Sequence, residues 1–528
     1  MKKLFFFILF LPFLIFPYTG EVAKSFNTPG PCSTGLTFDG KNIWVADRKL
    51  GKIFCISPEN GKILKEIKAP GNWPMGLAWD GKYLWNADPK ARKIFRIDPK
   101  DGTIVRIVDA PTPSPRGLAW DGKYLWCTDN ALDKVMQISP YDGTTIIEYK
   151  SPAGDPRGIT YDGKYLWISD RITDEIYMMD TASGSVIIIT DAPGPFTRGL
   201  AFDEKYLWAV DYQNDKIYKL KVRDGEKYLL ENEREANITL THRIRNYGPG
   251  RILKADVHIA LPLDRVSQKV LNTEYIVPPT DFVTDQWGQK TAHYTYKNIK
   301  PGEIAESVVK FHAKVYGVKY FVYPDEIGTV KDIPKDIKKK YLQDSDKYQI
   351  NHPAIKKAVK EAIGDETNAY WIARKIYNYI LKHMYYELSG GWNTAPTVLT
   401  RGNGSCSEYS FVFISMCRSA GIPAKYVGSV VVRGDDASID DVFHRWVEIY
   451  LPGYGWLPVD PSGGDKPSPR DQARCFGSLS NRFLITTDSG GNSKTLGWYY
   501  NTNEFITTQP DTKYEVETFA EWEPIKQR

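Results

Sequence analysis

Apolar positions between about residues 30 and 220 fall in short alternating runs broken by the same punctuation each time. Runs that open on Gly35, Gly76, Gly117 and Gly158 close on Asp39-Gly40, Asp80-Gly81, Asp121-Gly122 and Asp162-Gly163. A fifth opens on Gly199 and closes on Asp203-Glu204, and all successive starts lie 41 residues apart. Each copy carries four strand signals. Asp-Gly joins the first two, because both turn positions favour positive φ. A second turn, such as Pro99 to Gly102 or Pro140 to Gly143, joins the last two. Four strands in a unit of about 40 residues predict the blade of a β-propeller.

Trp44, Trp85, Trp126, Trp167 and Trp208 occupy one equivalent position in the second strand. A large ring repeated once per blade is read as filler between blades. Asp47, Asp88, Asp129, Asp170 and Asp211 recur just after it and are read as a turn or cap device. Arg116, Arg157 and Arg198 each precede a first strand, so they are expected to share one rim as solvated charge, with an anion site as the alternative. Residues 22–26, followed by Thr28-Pro29-Gly30, sit 13 residues before Gly35, as Ile63 to Ile67 sit before Gly76. The start of the mature chain therefore reads as a detached fourth strand that closes a five-bladed ring and removes its free edge. Residues 227–230 are the rival for that place.

From 231 to 325 the period stops and longer alternating strands predict a β-sandwich-like domain. His242, His258 and His312 lie in separate strands without ligand spacing and read as ordinary core or surface histidines. Pro353 fits the first position of a helix running to Gly364, and a second helix starts after Thr367. At the other end of the chain, Lys2 and Lys3 precede a run from Leu4 to Phe16 of apolar residues and one proline. As a helix it would reach about 20 Å, short of the ~30 Å of a bilayer core. Residues 1–20 read as a secretory signal peptide and the protein as exported, periplasmic or extracellular, with membrane attachment only if that segment stays uncleaved.

Composition narrows the classes further. The 528 residues hold 69 Lys+Arg against 64 Asp+Glu, a net +5, with 25% charged residues. That balance excludes a disordered chain and gives no reason to expect a nucleic-acid partner. Six cysteines exclude a disulfide-stapled scaffold.

Chemistry concentrates late in the chain. Gly402-Asn403-Gly404-Ser405 leads into Cys406 and an apolar helical run that Gly421 and Pro423 stop. A cysteine in the first helical turn meets unpaired N–H groups and the positive end of the helix dipole, which favour thiolate. Those amides can also stabilise an oxyanion. Cys417, deeper in the helix, is the inert comparison. Residues 443–450 read as a strand, 451–455 as a turn and 456–460 as the returning strand. Centring the hairpin on Pro452 pairs Tyr450 with Tyr454 and sets His444 directly opposite Asp460. A carboxylate can then fix one imidazole nitrogen and leave the other for the sulfur. His383, near the end of the second helix, reads as a terminal residue compatible with the dipole.

Gly404-Ser405-Cys406-Ser407-Glu408-Tyr409, then Gly421 to Val427, His444-Arg445-Trp446-Val447-Glu448 and Gly455 to Pro461 resemble the transglutaminase-like superfamily in four ordered motifs. The resemblance covers about 365–465. It implies an α+β, papain-like core at 326–528, with Cys406 as nucleophile, His444 as base and acid, and Asp460 orienting the histidine. It also implies an oxyanion donor upstream of the cysteine, for which Trp371 and Trp392 are the candidates. The repeats resemble NHL-type and lactonase-type propellers in pattern. The chain is thus read as multidomain: signal peptide 1–20, an all-β five-bladed propeller 21–230, a β-sandwich-like domain 231–325 and the catalytic domain 326–528.

The resulting expectation is a cysteine-dependent peptidase or amidase acting on peptide or protein carboxamides through a thioester. The propeller would hold substrate, a cell-surface polymer or a protein partner. Cross-linking transglutaminase activity is one alternative, a non-catalytic propeller binding protein a second, and metal-assisted lactone hydrolysis on the propeller a third. No EF-hand pattern occurs, and no cofactor or metal is expected. Asp435, Asp436, Asp440 and Asp441 are read as a solvated loop. Cys417 and Cys475 are left open as a disulfide pair.

Overall fold

An Asp-Gly turn can do more than reverse a chain when a tryptophan stands five residues past the aspartate. In the computed structural model, which describes residues 17–223, 225–388, 391–434 and 438–525, all five repeats use the turn's aspartate that way, the fifth with Glu204 in place of the glycine. The indole N–H of Trp44, Trp85, Trp126, Trp167 and Trp208 donates to Asp39, Asp80, Asp121, Asp162 and Asp203 at 2.7–2.9 Å. All five rings are buried. The same aspartates accept backbone N–H groups of their own turns. Each therefore satisfies a buried indole and a tight turn together.

The chain divides into two compact units, one made of Met1–Gly184 and Thr190–Lys227, the other of Ser185–Ile189 and Tyr228–Arg528. The repeats form five four-stranded antiparallel sheets. Val22–Asn27 pairs with Lys216–Lys221 and completes the sheet of Thr197–Phe202 and Tyr206–Asp211. The rival segment 227–230 instead enters the long strand Tyr228–Gly248 of the second unit. Inner strands meet through their glycines in cyclic order. A Cβ on Gly35 would lie 2.1 Å from the Met75 carbonyl oxygen, and one on Gly199 would lie 2.7 Å from Leu36 N, so the fifth sheet returns to the first. Only glycine fits there.

The aspartates after the tryptophans are caps. Asp47, Asp88, Asp129, Asp170 and Asp211 accept from the backbone N–H of Cys32, Trp73, Ser114, Asp155 and Phe196 at 2.7–2.8 Å. Their second oxygens accept N–H groups of the following turn, as Leu50 N and Asn214 N show. The arginines depart from the solvated-rim reading, because Arg157 is buried beside Asp155.

In the second unit two sheets face each other. One runs in the order Gln268–Tyr275, Ile304–Tyr320, Tyr228–Gly248, Lys513–Pro524, Ser438–Asp440; the other runs Asp281–Thr284, Lys290–Ile299, Ile252–Ala260, Thr502–Thr508. Ile238, Leu240, Val257, Ile259, Phe311 and Trp522 share the core between them. The segments read as a middle domain and a catalytic domain thus interleave, because strands from the end of the chain complete both sheets. The helices Pro353–Ile363 and Ala369–His383 form where expected, with Gly364 at φ +55° ending the first and Asn368 capping the second. A further sheet, in the order Gly455–Val459, His444–Leu451, Ala424–Val431, Phe483–Ser489, packs against the helix Cys406–Ser419.

The expected histidines stay apart from this site: buried His242 bonds Thr518, and His312 bonds Glu235. His258 stacks on His293 at 4.6 Å. The candidate export run Leu4 to Phe16 lies outside the described residues. Among the described residues no helix is long and apolar enough to cross a membrane.

The fifth repeat offers a test of the turn. Glu204 stands at φ +73° where its counterparts Gly40, Gly81, Gly122 and Gly163 have φ of +91° to +97°. Nothing lies within 4 Å of a Cβ at those four glycines, so the cost is conformational. Glu204→Gly is expected to stabilise the ring by about 1 kcal/mol, read as a later unfolding transition in urea; an earlier transition would refute it.

Candidate active site

Cys406 opens its helix as a consequence of local capping. Ser405 is the N-cap, and its hydroxyl and the Glu408 carboxylate form a capping box. Glu408 is fully buried and accepts from Ser405 N, from Arg401 at 2.8 Å, and from the backbone and side chain of Asn393 at 3.1 and 3.0 Å. One carboxylate thereby fixes the first turn and the segment that carries Trp392. Cys406 itself is 9% exposed.

His444 begins its strand, and the hairpin that follows has a register different from the expected one. Tyr450 pairs with Trp456 and Leu451 with Gly455, so the turn centres on Gly453. Gly453 at φ +76° and Gly455 at φ +113° allow this three-residue connection. The pairing is displaced by two residues from a hairpin centred on Pro452. A displacement of two leaves every side chain on its face. His444 therefore reaches Asp460 diagonally, and His444 Nε2 and Asp460 Oδ2 lie 2.7 Å apart. Asp460 Oδ1 accepts from Ser462 Oγ at 2.9 Å and Gly463 N at 2.8 Å. With Nε2 occupied by Asp460, the other ring nitrogen remains for the sulfur.

The electrostatics follow. Burial pushes the Cys406 thiol up, but the His444 hydrogen bond and charge, the Arg445 backbone N–H and the Arg445 guanidinium outweigh it and hold the thiol below its ordinary 9.0. Burial pulls His444 down, and the Asp460 charge and hydrogen bond, helped by Cys406, lift it above 6.5. Burial raises Asp460, and the charge and hydrogen bond of His444 bring it below the usual carboxylate range. The balance favours a thiolate–imidazolium pair.

Several residues around the site escaped the sequence reading. Asp440 is buried, not solvated: it accepts from Val431 N at 2.7 Å, Arg433 Nε at 2.9 Å and Phe443 N at 3.0 Å. Arg433 also donates to the Phe443 carbonyl at 2.8 Å. Phe443 has φ +60°, a strained value for a bulky residue, and both of its peptide groups are clamped immediately before His444. Asp435 and Asp436 lie outside the described residues. Arg445 is fully buried, with its guanidinium carbon 4.2 Å from the Tyr426 ring, 4.3 Å from Tyr500 and 5.0 Å from Trp392. Its place after His444 was the one signal available.

Of the two tryptophans proposed as oxyanion donors, Trp392 stacks on Tyr500, whose hydroxyl is pushed up by burial and then by the charge of Cys406. Trp371 packs edge-on against Tyr370 in the helix Ala369–His383. Cys417 and Cys475 are both free thiols. Among the described residues no group of three or more His, Cys, Asp or Glu side chains could hold a metal ion.

Residues 356–461 match the model of the family described as the transglutaminase-like superfamily, and this segment contains Cys406, His444 and Asp460. An uncharacterized protein of Haemophilus influenzae is 32% identical over 157 residues, 24% of this chain and 42% of that one. The Bacillus subtilis uncharacterized protein YebA is 24% identical over 273 residues, 46% of this chain and 34% of its own. The chain thus spans less than half the length of these curated relatives. Among solved structures, a candidate cysteine protease from Cytophaga hutchinsonii is 16% identical with a TM-score of 0.40, covering 55% of this chain and 92% of that chain.

Two outcomes are expected. Carbamidomethylation of Cys406 by iodoacetamide should proceed at pH values well below 9.0, since the thiol is lowered, and Asp460→Asn should carry the titration toward the ordinary thiol range. A wild-type rate that rises only near pH 9 would contradict the ion pair. Asp440→Ala should slow the same reaction about tenfold or more by releasing Phe443 and His444, whereas an unchanged rate would show that the clamp does not position the imidazole.

Proposed function

We propose that this chain is an exported, cysteine-dependent acyl-transfer enzyme that hydrolyses peptide or protein carboxamides. The observation that carries the reading is the meeting of three side chains: a lowered thiol at a helix N-terminus, an imidazole acting on it, and a carboxylate 2.7 Å behind the imidazole. In the proposed reaction the Cys406 thiolate attacks the carbonyl carbon. The oxyanion forms over the first amides of the helix Cys406–Ser419. His444 gives its proton to the departing amine, and the C–N bond breaks to leave a thioester. His444 then takes a proton from water as it attacks the thioester, and the acid product leaves as the thiolate returns. Asp460 keeps the imidazole oriented and its cation stable throughout.

The match of 356–461 to the transglutaminase-like family supports this assignment of chemistry. In the same reading the five four-stranded sheets are the blades of an NHL-like propeller that binds substrate, a surface polymer or a partner protein, and the chain acts outside the cytoplasm after export.

Wild type, Cys406→Ala and His444→Ala should be compared on a peptide library, with and without a primary amine. Peptide cleavage or ammonia release should fall at least about a thousandfold in both variants. Turnover unchanged in Cys406→Ala would overturn the reading. Incorporation of the amine in place of hydrolysis would identify cross-linking, and wild type with no turnover but retained ligand binding would identify a binding protein.

A further inference from the structure

In the five-sheet unit, the residue before each inner glycine stands at one level of the ring. In ring order these residues are Thr34, Met75, Arg116, Arg157 and Arg198. Three consecutive positions are therefore arginine. Their backbones touch across the sheets. Gly76 N donates to the Arg116 carbonyl at 2.7 Å, a Cβ on Gly117 would lie 2.5 Å from the Arg157 carbonyl oxygen, and one on Gly158 would lie 2.8 Å from that of Arg198. The guanidinium groups are consequently close enough to oppose one another. Burial, followed by repulsion from Arg157 and Arg198, pulls Arg116 down to about 10, and burial and Arg157 likewise pull Arg198 down.

Free acceptors for the guanidinium donors are few. Arg116 Nε donates to the neutral Asn130 at 2.7 Å, and the Arg198 guanidinium lies 4.2 Å over the Tyr212 ring. Asp155 is shared between Arg157 at 2.8 Å and Arg171 at 2.5 Å. The carboxylates of Asp129, Asp170 and Asp211 act by charge, as Asp129 does on Arg116, but their oxygens already accept backbone amides of the caps. Arg157 is 7% exposed and its Nε has no partner in the structure; the buried Nε of Arg198 has none either. A ring held together for stability alone gains nothing from three mutually repelling cations with unpaired buried donors, since both features are destabilising. An oxyanion placed between them would accept those donors and offset the repulsion, and the guanidinium fork is the side chain suited to it.

We infer that the centre of this ring binds the oxyanion of a ligand, a carboxylate or a phosphate group, between Arg116, Arg157 and Arg198. The site lies wholly within the repeat unit and is independent of Cys406.

The test is calorimetric titration of the full-length protein at low salt with inorganic phosphate and, separately, with glutarate. Binding of either is expected, and the tighter of the two identifies the source of the oxyanion. Arg116→Gln with Arg198→Gln should weaken that affinity at least tenfold, while Arg251→Gln, at a position outside the ring unit, should leave it unchanged. Should the double variant fail to fold, Arg116→Lys keeps the charge without the fork and is expected to weaken binding several-fold in a protein with an unaltered melting curve. No heat from either anion at millimolar concentration, or binding equal in wild type and the arginine variants, would overturn the proposal.

Discussion

The hydrogen bond between His444 and Asp460 is the constraint on which the arrangement around Cys406 rests. It joins the ends of two neighbouring strands, 2.7 Å apart, and it sets which imidazole nitrogen is left for Cys406. Burying a carboxylate is costly unless its oxygens are occupied. Here one oxygen takes the imidazole and the other takes Ser462 and Gly463. Even the absence of a side chain at Gly463 belongs to the arrangement, because a Cβ there would lie 2.5 Å from Asp460 Oδ2. Strand parity is what the site cannot relax: a slip of one residue would turn His444 to the opposite face.

The other cysteines show that burial does not explain the thiol. Cys417 lies in the same helix, and there burial dominates and drives the thiol well above its ordinary value. Cys127, buried in the repeats, is raised by burial and by Asp129. Cys406 suffers the same desolvation and still moves the other way, because an imidazolium, a backbone N–H and a guanidinium converge on it. The strand that carries His444 and Arg445 separates the two cases, since it supplies charge and a hydrogen-bond donor to Cys406 and none to Cys417.

What could be read from the sequence depended on how local the determining interaction was. The repeats were legible because each repeat's logic is contained within about ten residues, from the inner glycine through the turn to the tryptophan that bonds the turn's aspartate. The cysteine helix was legible for the same reason, its cap and cysteine being adjacent. The hairpin register was missed by two residues, because positive φ at both Gly453 and Gly455 moves the turn away from the proline that seemed to mark it. The completion of both sandwich sheets by 502–508 and 513–524 had no local signature: Ile238 pairs with Trp522 and Val257 with Glu504. Asp440 was obscured by its acidic neighbours, since composition cannot distinguish a buried carboxylate that bonds three donors from one in water.

Those long-range strands explain why the interleaving of segments has chemical consequences. Ser438–Asp440 is an edge strand of the sandwich, paired with Lys513–Pro524 through Asp440 and Ala520. The side chain of Asp440 reaches from that edge to Val431 and Phe443, on either side of the loop that delivers His444. A left-handed φ at phenylalanine is unfavourable on its own and persists only where the surroundings over-determine it. Here a sandwich strand, a guanidinium and a carboxylate all act on that one residue. The strain is therefore held by packing built from the far end of the chain. The sandwich is accordingly part of what aims the imidazole, and a segment cut out between residues 326 and 500 would retain Cys406, His444 and Asp460 but lose Lys513–Pro524, the strand that holds Ser438–Asp440 in place.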